Sequence, residues 1–124
     1  MPEATFRHGD PLMVDYTPAD GDIDAGEVVL IGSVTANTAG TGAIAGIAHR
    51  DITNNKVGAL AAGGGVYDVV NLNNAANGAK VYWDDANNKV TTVSTNNAVF
   101  GFIVTNGGGG ANSTARAVHK PYAY

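Results

Sequence analysis

Short runs of β-branched and aromatic residues alternate along the chain with breaks rich in Gly and Asn. This rhythm of short strands and frequent turns is typical of a β-sandwich or a small β-barrel. The helical spacing of apolar residues, at i, i+3, i+4 and i+7, is not sustained over about ten residues in any segment. Only residues 75–79 allow a helical turn. We therefore predict an all-β fold.

The predicted strands are short β-rich runs that end at turn residues. They are residues 12–16, 27–34, 43–49, 56–61, 66–72, 80–83, 89–95, 99–105 and 114–120. Consecutive apolar residues in the second run indicate a strand that is buried on both faces. In the third run, Ile44 and Ile47 are out of step for a flat strand, which suggests a bulge at Gly46.

The hairpin over residues 80–93 is the best-defined local structure that the pattern predicts. In a strand, Tyr82 and Trp83 point to opposite faces, and Trp83, the single Trp of the chain, is expected to anchor the hairpin to the core. Asp84 and Asp85 open a run of Asp and Asn residues whose side chains fold back onto nearby backbone N–H groups. We interpret both carboxylates as turn residues.

Residues 1–11 show no periodicity and are predicted to form an extended N-terminal arm. Residues 12–124 are predicted to form a single compact β domain, since 124 residues is an ordinary length for one domain. Much of the 44% apolar fraction is alanine, which buries little area, so the core of one subunit should be thin. Association with copies of itself or with a larger partner would supplement that core.

The charge content narrows the classes of partner. Charged residues are 15% of the chain against roughly 25% in an average domain, so an extensive contact would desolvate few charges. The net charge is −4 and the seven basic residues are scattered, so we expect no nucleic-acid partner. No apolar run approaches the ~20 residues of a bilayer span, and the first residues lack a secretory apolar region. We expect a soluble chain that is made without export and has no membrane partner.

Three groups of residues could carry chemistry. Residues 49–51 (His-Arg-Asp) lack a nucleophile in a recognisable setting. Residues 20–24 alternate carboxylates like a calcium loop, but the pattern fails at Ala25 and Ile31, where Gly and Glu are needed. The histidines His8, His49 and His119 have no metal-ligand spacing. We predict no catalytic, cofactor or metal site and no enzymatic activity.

A family resemblance is carried by residues 81–84 (Val-Tyr-Trp-Asp), a short Asn/Asp turn, residues 89–91 (Lys-Val-Thr) and residues 99–104. This order resembles a family of small phage and prophage proteins, known by a domain of unknown function and regarded as capsid decoration, or cement, proteins. The similarity covers most of the chain, and residues 77–84 are its most specific part. Further similar segments are residues 24–32, 47–52, 58–61 and 65–69.

The resemblance implies a structural virion protein with a small, β-tulip-like barrel or sandwich. It implies that the chain binds the major capsid protein on the outer surface of a phage head after synthesis in the host bacterial cytoplasm. A fainter similarity to the head decoration protein of lambda-like phages, which forms trimers, implies a homotrimer. Residues of the N-terminal arm are expected to contact the capsid: Phe6 as apolar anchor, with Arg7, His8 and Pro11.

A binding module for carbohydrate or host surfaces, displayed on a virion, is the main alternative. It would need exposed aromatic side chains, for which Tyr122 and Tyr124 are the visible candidates. A small hydrolase is a third hypothesis.

Overall fold

The computed structural model describes residues 3–32 and 43–121, and within them every regular element is a β-strand, which confirms the all-β prediction. The strands are β1 (Thr5–Gly9), β2 (Met13–Tyr16), β3 (Val28–Gly32), β4 (Ala43–Ala48), β5 (Gly58–Ala61), β6 (Gly65–Asn71), β7 (Lys80–Asp84), β8 (Lys89–Thr91), β9 (Ala98–Thr105) and β10 (Ser113–His119).

Five strands form a barrel-like ring of pairings in the order β6, β8, β7, β9, β10 and back to β6. The weakest link is that between β6 and β8, a single parallel pair of Asn71 and Val90. Strand β1 extends the sheet beyond β6, and a parallel pair of Ile44 and Val99 joins β4 to β9. Strand β4 in turn pairs with β3 and β5, and β5 pairs with β2.

The main core fills the inside of the ring, because inward and outward residues alternate along its strands. Tyr67, Val69 and Asn71 of β6 are buried, and the residues between them are half-buried. Trp83 and Phe100 are fully buried, with ring centroids 5.9 Å apart. These large side chains supply the volume that the alanine-rich lining does not.

Strands β3 and β4 separate the main core from a second, smaller one. Val28 and Ile47 pack into the main core, whereas Val29 packs into the smaller core, which is built around Ile23, Ala48, Ile52 and Leu60. Both faces of β3 therefore contact apolar side chains, as its run of consecutive apolar residues predicts.

The bulge predicted at Gly46 is wrong. The register of β3 and β4 runs without a shift from Val28 opposite Ile47 to Gly32 opposite Ala43. A Cβ atom on Gly46 would lie 3.1 Å from Cδ1 of Leu60, so the glycine makes room for a neighbouring strand. Ile44 and Ile47 lie on opposite faces of β4: Ile47 is fully buried in the main core, whereas Ile44 is 41% exposed.

Three further segments differ from the pattern-based prediction. Within residues 75–79, residues 76–79 form a β-turn closed by a 3.0 Å hydrogen bond from the Ala79 N–H to the Ala76 carbonyl, rather than a helical turn. Strand β8 ends at Thr91, because residues 94–97 turn back through a hydrogen bond from the Asn97 N–H to the Ser94 carbonyl. Residues 5–9 of the predicted arm form strand β1.

Candidate functional site

Strand β1 is an edge strand of the sheet. All five of its residues are exposed, and among the described residues it pairs only with β6. The preceding residues hold it in place, since the Glu3 and Ala4 N–H groups both donate to the Gly26 carbonyl at 3.0 Å and Ala4 is buried. An edge strand presents unpaired backbone N–H and C=O groups on its open side. The N-terminal segment therefore offers a ready pairing surface.

The four residues predicted to bind a capsid do not converge on one point. A register irregularity between Phe6 and His8 divides them. The Phe6 ring turns inward, with its centroid 4.8 Å from that of His49, whereas Arg7 Nε lies 3.6 Å from an Asp68 carboxylate oxygen on the outer side. Pro11 lies beyond the end of the strand and is half-buried. Their role in capsid binding stays a prediction.

A cleft of about 290 Å³ lies against the inner side of β1. It is lined by Ala4, Thr5, Phe6, Ala25, Gly26, Ala48, His49 and Tyr67. Its polar floor is a 2.6 Å hydrogen bond between His49 Nε2 and the Tyr67 hydroxyl. Burial raises the pKa of Tyr67 far above its ordinary value and lowers the pKa of His49, so both groups are neutral near pH 7. The cleft is therefore a largely apolar depression beside an open strand edge.

His119 continues this cluster into the core. Its Nε2 lies 2.6 Å from the Ala45 carbonyl oxygen, and since a carbonyl only accepts, Nε2 carries the proton. Nδ1 is buried and has no hydrogen-bond partner among the described residues. The rings of Tyr67 and Phe100 lie beside it, at 5.7 and 5.1 Å between centroids, and burial lowers the pKa of His119 to about 4. A neutral imidazole thus ties β10 to β4 inside the molecule.

The two carboxylates of the hairpin accept hydrogen bonds from neighbouring residues of the hairpin. Asp84 Oδ1 accepts the N–H groups of Ala86 and Asn87 at 3.1 and 3.2 Å. Asp85 Oδ1 accepts the Trp83 indole N–H at 3.1 Å. Tyr82 points to the other face, half-buried, with the Lys80 Nζ atom 5.5 Å from its ring centroid. This arrangement stabilises a turn and leaves neither carboxylate positioned across a cleft from the other.

The acidic loop over residues 20–24 is held by hydrogen bonds from backbone N–H groups to side-chain oxygens. Asp22 Oδ1 accepts the Asn54 N–H at 2.8 Å, and the Asn54 side-chain oxygen accepts the Gly21 N–H at 3.1 Å. Asp51 Oδ1 accepts the Ala25 N–H at 2.8 Å. Within residues 3–32 and 43–121, no three His, Asp or Glu side chains are grouped so as to hold a metal ion.

The side chains of residues 49–51 do not come together in one site. His49 bonds to Tyr67 in the cleft, whereas Asp51 caps the acidic loop and Arg50 is exposed. Tyr122 and Tyr124, on which the carbohydrate-binding alternative depends, lie outside the described residues.

Sequence reasoning missed the contacts of His119. One signal was available: His119 follows Ala115 and Ala117 at every second position, so a polar residue lies on the apolar side of a strand. It also missed the pairing of Arg7 and Arg116 with Asp68, which joins residues far apart in the chain.

Comparison with known protein families gives a match. The family model described as phage cement protein matches residues 6–118, a span that begins in β1 and ends in β10. No curated protein and no solved structure matches the chain. No helix suited by length and apolarity to crossing a membrane occurs in the described part of the chain.

Proposed function

The chain belongs to the phage cement protein family, and from this premise we propose that it binds the outer surface of a phage capsid and stabilises the assembled head. The family match over residues 6–118 is the observation that carries this proposal. The role is structural and involves no catalysis. We propose the major capsid protein as partner and the virion surface as location, after synthesis in the host bacterial cytoplasm.

Cementing needs no chemistry beyond binding. A protein that contacts neighbouring capsid subunits has its full binding surface only on the closed shell. Binding then shifts the equilibrium between shell and dissociated subunits towards the shell by mass action. With a charged fraction of 15%, such a protein desolvates few charges when it covers a large area.

We propose that the β1 edge takes part in this binding. A capsid segment in extended conformation could pair with the open side of β1, and backbone hydrogen bonds would supply affinity while side-chain pockets supply specificity. The exposure of all five β1 residues and the apolar cleft beside Phe6 support this mode. Arg7, His8 and Pro11 would flank the added strand.

A homotrimer is proposed from the similarity to lambda-like head decoration proteins. Closed cyclic symmetry would match a threefold position on a capsid lattice. Sedimentation velocity of the purified protein tests this proposal. The monomer mass is 12.6 kDa, and a single species of three times that mass is expected. A monomer at all concentrations contradicts the proposal.

The function is tested with heads that lack this protein, prepared from the phage or prophage that encodes it. Purified protein is added back, and the bound fraction is measured by co-sedimentation. Head opening on heating is followed by the fluorescence of a DNA-binding dye. Saturable binding and a higher opening temperature are expected. Absence of binding refutes the proposal, and binding with no change in opening temperature refutes stabilisation.

Variants test the contribution of the β1 edge. Deleting residues 1–11 would remove the buried Ala4 and the pairing with β6, so point substitutions are preferable. Phe6→Ser is expected to weaken head binding about tenfold, which corresponds to about 1.4 kcal/mol. Val57→Ser changes another exposed apolar residue away from β1 and is expected to bind as the parent does.

A glycan array separates the proposed role from carbohydrate binding. Specific glycan binding without any binding to heads would favour the alternative module. No signal on the array, together with decoration of heads, is the expected result.

A further inference from the structure

One side of the sheet formed by β1, β6, β10, β9 and β7 faces away from the core. Directly paired residues of antiparallel strands share a face, so the registers identify the side chains that lie next to each other there. One row across the five strands consists of His8, Val66, Val118, Phe102 and Lys80. A second row consists of Thr5, Asp68, Arg116 and Thr105. We call these two rows, with Arg7 and Val104 beside them, the outer face.

The centre of the outer face is apolar. Phe102 is 37% exposed and Val104 is 43% exposed, while their neighbours Val66 and Val118 are half-buried. Val104 occupies the irregular position where β9 shifts register against β10, and it projects beside the rows. Single exposed apolar residues are ordinary on a protein surface, but a contiguous group bordered by polar residues marks an interaction site.

The charge of the outer face is opposite to that of the whole molecule. It carries Arg7, Lys80 and Arg116, whereas Asp68 is the one carboxylate within its two rows. Arg116 Nε lies 3.0 Å from Asp68 Oδ1, and Arg7 Nε lies 3.6 Å from Asp68 Oδ2. One carboxylate therefore faces two cations and neutralises only part of their charge. The chain as a whole has a net charge of −4. The face is thus a cationic area on an acidic protein.

Resting on the proposed function, we propose that the outer face docks on the capsid, at an apolar patch bordered by carboxylates. Complementary charge favours such a partner and suppresses others. A second copy of this chain, paired with the first about a twofold axis, is a poorer occupant of the same face. A twofold pairing of the outer face with itself would bring its cations towards cations. The outer face also includes His8 and Arg7, so it is continuous with the β1 edge.

Head binding of two matched pairs of variants tests the assignment. Val104→Asp places a carboxylate in the apolar centre, and Val93→Asp makes the same change at a 53% exposed residue of the β8–β9 connection. Lys80→Glu reverses a charge on the outer face, and Lys56→Glu does so in the turn before β5. At least a tenfold loss of affinity is expected for Val104→Asp and Lys80→Glu, and unchanged binding for the other two.

Salt dependence supplies a second readout. Charge attraction across the interface is screened as ionic strength rises, so binding of the parent protein should weaken with added salt. Lys80→Glu should reduce that salt dependence more than Val104→Asp, because reversing a cation changes the charge of the outer face by more than adding one carboxylate. Thermal melting of each variant by circular dichroism verifies that it is folded before binding is measured.

The outcomes distinguish this proposal from the one on which it rests. If the parent protein decorates heads and both outer-face variants do so equally well, the docking face is wrong and the cement role stands. If the parent protein does not bind heads, the cement role itself fails. If the outer-face variants instead dissociate an oligomer in sedimentation velocity, the face is a contact between copies and the capsid assignment is overturned.

Discussion

Acidification should destabilise the fold through His119. At about pH 7 the imidazole is neutral. Nε2 donates to the Ala45 carbonyl, while Nδ1 is buried and meets no partner in the part of the chain that the structure describes. Protonation at Nδ1 would place a charge and an unpaired N–H between the rings of Tyr67 and Phe100, in a region shielded from water. Burial lowers the pKa of His49 in the same cluster as well, and a histidine offers no compensating anion.

The sign and size follow from linkage between protonation and folding. The ordinary pKa of 6.5 applies to the unfolded chain, and the pKa of His119 in the folded protein is about 4. The unfolded chain therefore takes up a proton first as the pH falls, and the stability that neutral His119 contributes is lost between these two values. The full loss is about 3 kcal/mol, at 1.36 kcal/mol per pKa unit, and about 2 kcal/mol is lost by about pH 4.5. Small domains have only about 5–15 kcal/mol in total.

Urea unfolding at about pH 7 and about pH 4.5 measures this loss of stability. A variant that lacks the His119 imidazole measures the part of the loss that comes from the other titrating groups, so that it can be subtracted. His119→Gln keeps an N–H₂ group that can donate to the Ala45 carbonyl but cannot titrate. It should be less stable than the parent at about pH 7, yet lose about 2 kcal/mol less on acidification. His49→Gln makes the same substitution at a partly exposed histidine whose pKa burial also lowers, and it should relieve a smaller part of the acid-induced loss.

An equal loss in parent and His119→Gln would refute this reasoning. If the variant does not fold, the parent alone suffices, because NMR follows the imidazole directly. Its chemical shifts should report a neutral ring down to about pH 5, with Nε2 protonated. A midpoint near the ordinary value of 6.5 would contradict the structure.

Three substitutions probe the packing that supports the sheet. Gly101→Ala would drive a Cβ into the Val118 carbonyl oxygen, at a φ of 154°, so a loss of about 3 kcal/mol or more is expected in thermal or urea unfolding. Asn71→Ala removes the buried amide that bonds to both the N–H and the C=O of Ala75, and should cost about 2–5 kcal/mol in the same assay. Asp84→Ala removes the acceptor of two exposed backbone N–H groups and should cost only about 1 kcal/mol.

Matched controls separate these causes from the substitution itself. Gly21→Ala has a comparable φ of 136° but no atom within 4 Å of the added Cβ, so it should cost clearly less than Gly101→Ala. Asn73→Ala breaks exposed hydrogen bonds and should cost under about 1 kcal/mol, as should the exposed Asp15→Ala. Equal effects at Gly21 and Gly101 would show that backbone conformation, rather than the clash, dominates.

Local features of the chain were predictable because short-range physics sets them. Alternation of side chains across a strand places Trp83 on the opposite face from Tyr82, and Trp83 is fully buried. Turn chemistry depends on neighbouring residues only, so the Asp84 side chain bonds to backbone N–H groups two and three positions away. The positions of strands β2 to β10 along the chain were also predictable from local sequence, apart from the residues at which the strands begin and end.

Strand partners were decided by tertiary structure. All residues of β1 are exposed, so its sequence shows no alternation of apolar and polar residues from which a strand could be predicted. Its place in the sheet depends on backbone pairing with β6, which any side chain permits. The Gly46 bulge was inferred from periodicity alone. The structure shows instead that a side chain at this position would press against Leu60 on a neighbouring strand.

The candidate site shows the same division. The sequence by itself determined the all-β class, the resemblance to cement proteins and the hairpin turn. Only the tertiary structure brought His119 to Ala45, 74 positions away, and Arg7 and Arg116 to Asp68. A period of two residues states which side chains share a face of one strand, but not which strand lies beside it. Registers between distant strands are fixed by packing of the whole sheet, and the outer face exists only once those registers are set.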